Sequence, residues 1–143
     1  MPAPRASLES PPTYSERRRA TGALGERAAA EHLRRLGLEI LASNHRTPAG
    51  EIDLIARGPK VIVFAEVKTT RCAAPGLREE ALRLALERVL GAQQRRIRRA
   101  AAGWLGAQPP RVRAGCELRF DAIAVVLDPL GALVALDHVE GAF

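Results

Sequence analysis

Cysteine is nearly absent: Cys72 and Cys116 are the only two in 143 residues. Two thiols cannot build the disulfide framework of a small secreted scaffold, and they offer no sulfur cage for a metal. A reducing cytoplasm is the expected location, with both thiols free. Aromatic residues make up 3% of the chain, so platforms for stacking unpaired bases are scarce. No apolar run approaches the ~20 residues that a membrane-spanning helix needs, which argues against a membrane partner. The opening MPAPRASLESPPTYSERRRA lacks the apolar stretch of a secretory signal. Proline, serine and charge dominate it, so residues 1–20 read as a disordered tail and residues 21–143 as one domain.

Lysine is scarce as well. Lys60 and Lys68 are the only two, which leaves 20 of the 22 basic residues as arginine, against 16 acidic residues and a net charge of +6. Arginine grips phosphate with a bidentate fork and stacks on bases, so a polyanion such as nucleic acid is the first partner to consider. A genome that enriches arginine and alanine everywhere produces the same count, and charge alone does not separate the two.

What the chain does have is strong periodicity, with 47% hydrophobic residues. TGALGERAAAEHLRRLGLEI reads as a helix with an apolar arc through Leu24, Ala28, Ala29, Leu33 and Leu36, stopped by Gly37. Glu26 falls at the edge of that arc, and His32 lies within it as a hydrogen-bonded core histidine. LEILASNHR, EIDLIAR and VIVFAEVK read as three strands joined by the turns TPAG and RGPK. Residues 77–106 read as helical with a break at Gly91, QPPRVRAG as a loop, and ELRFDAIAVVLD and ALVALDHVE as two closing strands.

The chemistry sits on the hairpin GEIDLIARGPKVIVFAEVKTTR. Strand alternation puts Glu51, Asp53 and Ile55 on one face of the second strand, opposite Ile52, Leu54 and Ala56. In the third strand Ile62, Phe64, Glu66 and Lys68 share a face. A tight turn makes the strands antiparallel neighbours, so Asp53 and Glu66 can lie close together if their faces match. Two adjacent carboxylates repel unless a cation neutralises them. Mg²⁺, with Mn²⁺ as its substitute, suits a small carboxylate set that leaves room for water and phosphate. Lys68 then stands where an ammonium can hold an attacking water and offset charge on a phosphorane-like transition state. Taken alone, E-x-K is a common surface pair on an edge strand. The acid across the hairpin and the apolar context, in which an unpaired charge is costly, favour chemistry.

GERAAAEHLRRLG, NHR, GEIDLIA, VFAEVK, the QQRRI…AAGWL helix and RFDAIAV together resemble the YraN-like family of bacterial proteins. That family is assigned to the PD-(D/E)xK nuclease superfamily, close to archaeal Holliday-junction resolvases. The likeness runs from about Gly22 to Phe143. The elements read from the chain run α-β-β-β-α-β-β, and the likeness implies an α/β, restriction-endonuclease-like fold, with a mixed central sheet flanked by helices and the active site on the central hairpin. It also implies roles. Asp53 stands at the first acid of the motif, with Glu66 and Lys68 as its E-x-K, and Glu26 matches a first-helix glutamate that joins Asp53 and Glu66 in the metal shell. Glu51 matches a frequent position that supports the ligands or the structure. Ile52 replaces the proline of the superfamily name, and Gln93 stands where relatives often carry lysine. Thr70 stands where an arginine often follows the E-x-K, with Arg71 one place later.

The stretch QQRRIRR turns Arg95, Arg96, Arg98 and Arg99 away from the Ile97 stripe. A solvated face explains any one of them; together, beside a phosphate site, they favour contact with a nucleic-acid backbone. Arg71, Gln93, Arg95, Arg96 and Arg99 are the expected contacts, and double-stranded or branched DNA the expected partner. Asp121 reads as a structural partner for an arginine. The leading expectation is a Mg²⁺-dependent endonuclease cutting DNA at branched or damaged structures. The alternative is a nucleic-acid-binding module that keeps the fold without catalysis, and a third reading is a structural metal in a protein-interaction domain. The sequence leaves DNA versus RNA and dimerisation open.

Overall fold

The computed structural model describes Met1, residues 10–91 and residues 94–143. Helix α1 (Tyr14–Arg35) leads into strands β1 (Glu39–Thr47), β2 (Gly50–Arg57) and β3 (Val61–Arg71). A short 3-10 turn at Pro75–Leu77 precedes helices α2 (Arg78–Leu90) and α3 (Gln94–Gly106), a single turn α4 (Pro110–Arg113), and strands β4 (Glu117–Leu127) and β5 (Leu133–Val139). The protein is an α/β structure around one five-stranded mixed sheet of order β1-β2-β3-β4-β5. Only the β3–β4 pair is parallel; the others are antiparallel. A parallel pair needs a crossover, and the helical segment between β3 and β4 supplies it.

The start of α1 differs from the sequence expectation. The helix begins at Tyr14, inside the stretch assigned to a disordered tail, because Thr13 and Glu16 form a capping box. Thr13 Oγ1 accepts from the Glu16 N–H at 3.2 Å, and Glu16 Oε2 accepts from the Thr13 N–H at 2.6 Å, so two orphan donors are satisfied reciprocally. Residues 14–20 are nonetheless exposed. The other end closes as expected at Gly37, with φ of 86°. The Leu38 N–H donates to Leu33 O and the Gly37 N–H to Arg34 O, the Schellman pattern. The loop expected at QPPRVRAG contains α4, with proline at the start of the helix where its missing N–H is harmless.

The sheet is covered on both sides. On one, Ala29, Ala30 and Leu33 of α1 pack with Leu54, Ala56, Val63, Ala65, Ile123 and Val125. On the other, Ile97, Ala100, Ala101 and Trp104 of α3 pack with Ile52, Ile55, Ile62, Phe64 and Phe120. Phe64 stacks on Phe120 and meets Trp104 edge-on. No helix among the described residues is long and apolar enough to cross a membrane, and Cys72 and Cys116 are both free thiols.

Two braces fix α1 over the sheet. Asp121 is fully buried and accepts from Arg119 through both oxygens, from the Gly141 N–H and from His138. Burial alone would raise its carboxyl, but the His138 and Arg119 hydrogen bonds prevail and hold it below the usual range. His138 Nδ1 in turn lies 3.0 Å from His32 Nε2 on α1. Asp121 is thus the arginine partner the sequence suggested, and His32 is hydrogen-bonded as expected but half-buried, outside both core clusters. The second brace is steric: a Cβ on Gly25 would stand 1.7 Å from Thr69 Oγ1 and 2.6 Å from Thr69 Cβ on β3.

Gly25→Ala tests that contact. Alanine is the better helix former by roughly 1 kcal/mol, but overpacking against a β-branched side chain costs about 1–3 kcal/mol. We expect a net loss of stability in urea unfolding, only partly recovered by adding Thr69→Ala, because the β-carbon at position 69 remains. A Gly25→Ala protein more stable than wild type would show that α1 does not ride this close to β3.

Candidate active site on the β2–β3 hairpin

Strands β2 and β3 pair from Arg57↔Ile62 to Leu54↔Ala65, and there the ladder stops. Continuing the register would set Val67 opposite Ile52. Instead the Val67 N–H donates to Asp53 Oδ2 at 2.7 Å, so a side chain takes the bond that the β2 backbone gives up. The parting of the strands corrects one expectation from alternation. Ile52 packs with Ile55 in the α3-side cluster, and does not follow Leu54 and Ala56 to the α1 side. Strict alternation holds only while the strand stays paired and flat.

Glu66 follows Ala65 on β3, its side chain only 5% exposed. Its Oε1 faces two cations, Lys68 Nζ at 3.3 Å and Arg96 Nη2 at 3.5 Å. A carboxylate this deep requires such compensation. Lys68 is about a third exposed, so its ammonium reaches both Glu66 and solvent. Arg96, expected on the outer face of α3, is half-buried and reaches back into the site, where Nη1 also approaches Glu51 O at 3.5 Å.

Asp53 titrates far from the ordinary carboxyl range. Burial and then the charge of Glu66 push it up to about 7, with Glu26 adding to the rise, while the Val67 N–H and Lys68 pull the other way. Glu26 is also raised, first by burial, with the charges of Glu51 and Glu66 contributing and Asn44 and Lys68 opposing. Asp53, Glu66, Lys68 and Glu26 therefore occupy one electrostatic neighbourhood, with Glu26 entering from α1. Glu51 sits at the margin, 3.6 Å from the Arg46 guanidinium.

The chemistry of the donors suits a hard divalent cation: oxygen ligands and an excess of negative charge in a half-buried pocket. As they lie, no three of His, Cys, Asp and Glu among the described residues stand together as a ligand group.

The expected nucleic-acid contacts divide. Arg95 and Arg99 are exposed on α3. Arg71 instead donates from Nε to Thr21 Oγ1 and from Nη1 to Pro129 O, both at 2.8 Å, tying β3 to α1 and to the β4–β5 turn. Arg98 lies over the Phe120 ring at 4.5 Å. Gln93 lies outside the described residues.

Sequence reasoning passed over Asn44, whose side chain opposes the rise of the Glu26 carboxyl and whose φ of 49° is the one positive value at a described non-glycine residue. Asparagine tolerates the left-handed region better than most residues, and the NHR triplet was the available signal.

Residues 25–125 match the family described as "Uncharacterised protein family UPF0102". A UPF0102 protein of Moorella thermoacetica is 40% identical over 131 residues, covering 92% of this chain and 99% of its own. A UPF0102 protein of Corynebacterium efficiens is 41% identical over 121 residues, covering 84% and 88%. One from Frankia casuarinae is 40% identical over 124 residues, covering 87% and 96%. With α1 from Gly25 onward, the hairpin and most of β4 inside the matched region, the chain belongs to the UPF0102 family.

Proposed function

We propose that the protein is a metal-dependent endonuclease that hydrolyses phosphodiester bonds in DNA, at branched or damaged structures, on a restriction-endonuclease-like fold. The observation that carries the reading is the meeting of Asp53, Glu66 and Lys68 where β2 parts from β3. The mixed sheet flanked by helices supports the fold assignment, since it is what the sequence resemblance implies.

Asp53 and Glu66, with Glu26, would hold Mg²⁺ or Mn²⁺, and the ion when bound supplies electrophilic stabilisation of charge on the scissile phosphate. The chain's own groups do the rest. The Val67 N–H orients the Asp53 carboxylate. Lys68, anchored on Glu66 yet open to solvent, holds the attacking water and offsets charge that develops on the phosphate oxygens. Arg96 keeps the buried Glu66 from standing as an uncompensated charge. Arg95 and Arg99, exposed on α3, contact the DNA backbone.

A second reading, a nucleic-acid-binding module without catalysis, is favoured by one observation. Lys68 and Arg96 both occupy Glu66 Oε1, an arrangement that neutralises the carboxylate without a metal.

Single-turnover cleavage beside a salt titration of affinity separates the two. Lys68→Ala is expected to slow cleavage by about 10²–10³-fold with DNA affinity little changed. Asp53→Asn is expected to abolish metal-dependent cutting. Replacing Arg95 and Arg99 by glutamine should instead weaken binding on all sequences and flatten its salt dependence by about one unit per lost phosphate contact. Binding by wild type with no Mg²⁺- or Mn²⁺-dependent cutting of linear, nicked, flapped or four-way DNA would establish the binding module in place of the enzyme.

The raised Asp53 carboxyl gives a separate test in EDTA. Its unfolded value is near 3.8 and its folded value about 7, so the folded state binds the proton more tightly. That contribution to stability is complete below about pH 4 and is lost as pH rises through about 7. Asp53→Asn should therefore gain stability relative to wild type on going from pH 5 to pH 8. Parallel pH profiles for the two proteins would mean that Asp53 carries no such strain.

A further inference from the structure

The first turns of α1, the end of β3 and Arg88 of α2 enclose an open cleft of about 1090 Å³. That is larger than the roughly 300–1,000 Å³ of ordinary small-ligand pockets. Glu26 and Lys68 lie in its lining, so it opens directly from the hairpin site. Arg17, Arg18 and Arg88 add positive charge. Of the two acids that line it among the described residues, Glu26 belongs to the site, and Glu16 is engaged by the Thr13 N–H in the capping box.

Tyr14 gives the cleft its chemistry. It is the only tyrosine in the chain and is 70% exposed. Phe64, Trp104, Phe120 and Phe143 all belong to or pack against the α3-side core, so Tyr14 is the one aromatic placed outside it. The Arg18 guanidinium stands over its ring at 5.9 Å. An exposed ring among arginines offers stacking to a base and charge to its phosphate. A duplex keeps its base faces stacked on one another and gains nothing from that ring. An acidic peptide would use the arginines alone. The cleft and the exposed arginines of α3 meet at the carboxylates, the cleft through Lys68 and Glu26, α3 through Arg96 and Glu66.

We infer that this cleft seats a single-stranded arm of nucleic acid. Its phosphates lie on Arg17, Arg18 and Arg88, one base stacks on Tyr14, and the arm leaves a duplex held along α3. The substrate class is then a tailed or flapped duplex. Cutting at that boundary rests on the nuclease reading; binding of the arm does not.

The test is fluorescence anisotropy with the full chain in EDTA. The probes are a blunt duplex and the same duplex carrying a thymine arm of about 12 nucleotides, within the ~4–16 nucleotide footprints of single-strand sites. The tailed duplex is expected to bind at least about 10-fold more tightly than the blunt one. Tyr14→Ala should cost the tailed duplex about 5- to 100-fold, Tyr14→Phe should retain affinity, and neither should change blunt-duplex binding. Replacing Arg17 and Arg18 by glutamine should flatten the salt slope for the tailed duplex by about 1.4 units, two single-strand contacts. Equal affinity for both probes, an equal loss on both from Tyr14→Ala, or displacement of the arm by polyglutamate as readily as by oligothymidine would each overturn the proposal. Preference for the tailed duplex without metal-dependent cleavage would leave the cleft standing and remove the nuclease. Cleavage with no preference would do the reverse.

Discussion

The hydrogen bond from the Val67 N–H to Asp53 Oδ2 governs the hairpin's chemistry. A backbone donor at the middle of a sheet must be satisfied, and normally the neighbouring strand does it. Here β2 leaves after Leu54, and a carboxylate takes its place. The substitution frees β2 to swing Ile52 into the α3-side core and fixes Asp53 against β3, where Glu66 and Lys68 project. Because the same carboxylate is half-buried beside Glu66, the bond that positions it is set against desolvation and repulsion, which win and lift its titration to about 7. Position and electrostatic strain are two consequences of one replacement.

That site is incomplete without α1, and α1 is placed by contacts far from any carboxylate. Gly25 allows the helix backbone to lie against Thr69, which brings Glu26, the next residue, to the end of β3. The chain from His32 through His138 to Asp121 and Arg119 anchors the same helix farther along. Leu33, fully buried, fills the space between. A steric fit at one end and a buried polar network at the other give the helix one position along the sheet. Glu26 inherits that precision.

Much of this was legible in the sequence, and the reasons are physical. The hairpin, its register and the neighbouring positions of Asp53 and Glu66 follow from a tight turn and period-two alternation. The stop at Gly37 follows from glycine's freedom to take a positive φ, whereas Gly91 caps α2 with a φ of −78° that any residue can adopt. What escaped was tertiary or was masked by composition. Nothing local in GEIDLIA says that β2 will leave β3 at Asp53, so the side of Ile52 was misread. Thr-Tyr-Ser-Glu is a capping-box pattern, but the prolines and serines before it made the segment look structureless. The directions of Arg71 and Arg96 were out of reach for another reason. Helical or strand spacing gives the side on which an arginine starts, and its long flexible stem decides where the guanidinium finishes.

The distribution of charge across the molecule sets three acids of an arginine-rich chain among cations. Arg95 and Arg99 on α3 and Arg17, Arg18 and Arg88 around the cleft present cations on either flank of the hairpin. Asp53, Glu66 and Glu26 lie between them. A polyanion is drawn to both flanks and repelled at the centre unless the central charge is compensated. Lys68 and Arg96 compensate Glu66, and near neutral pH a proton compensates Asp53 in part. A divalent cation would replace that proton, exchanging a compensator that only neutralises for one that also polarises the phosphate. The carboxylate most ready for that exchange is Asp53, because its proton is held near pH 7, within reach of competition from a metal. On the proposed function, the flanks would determine whether a phosphate arrives, and the state of Asp53 what the site could do with it.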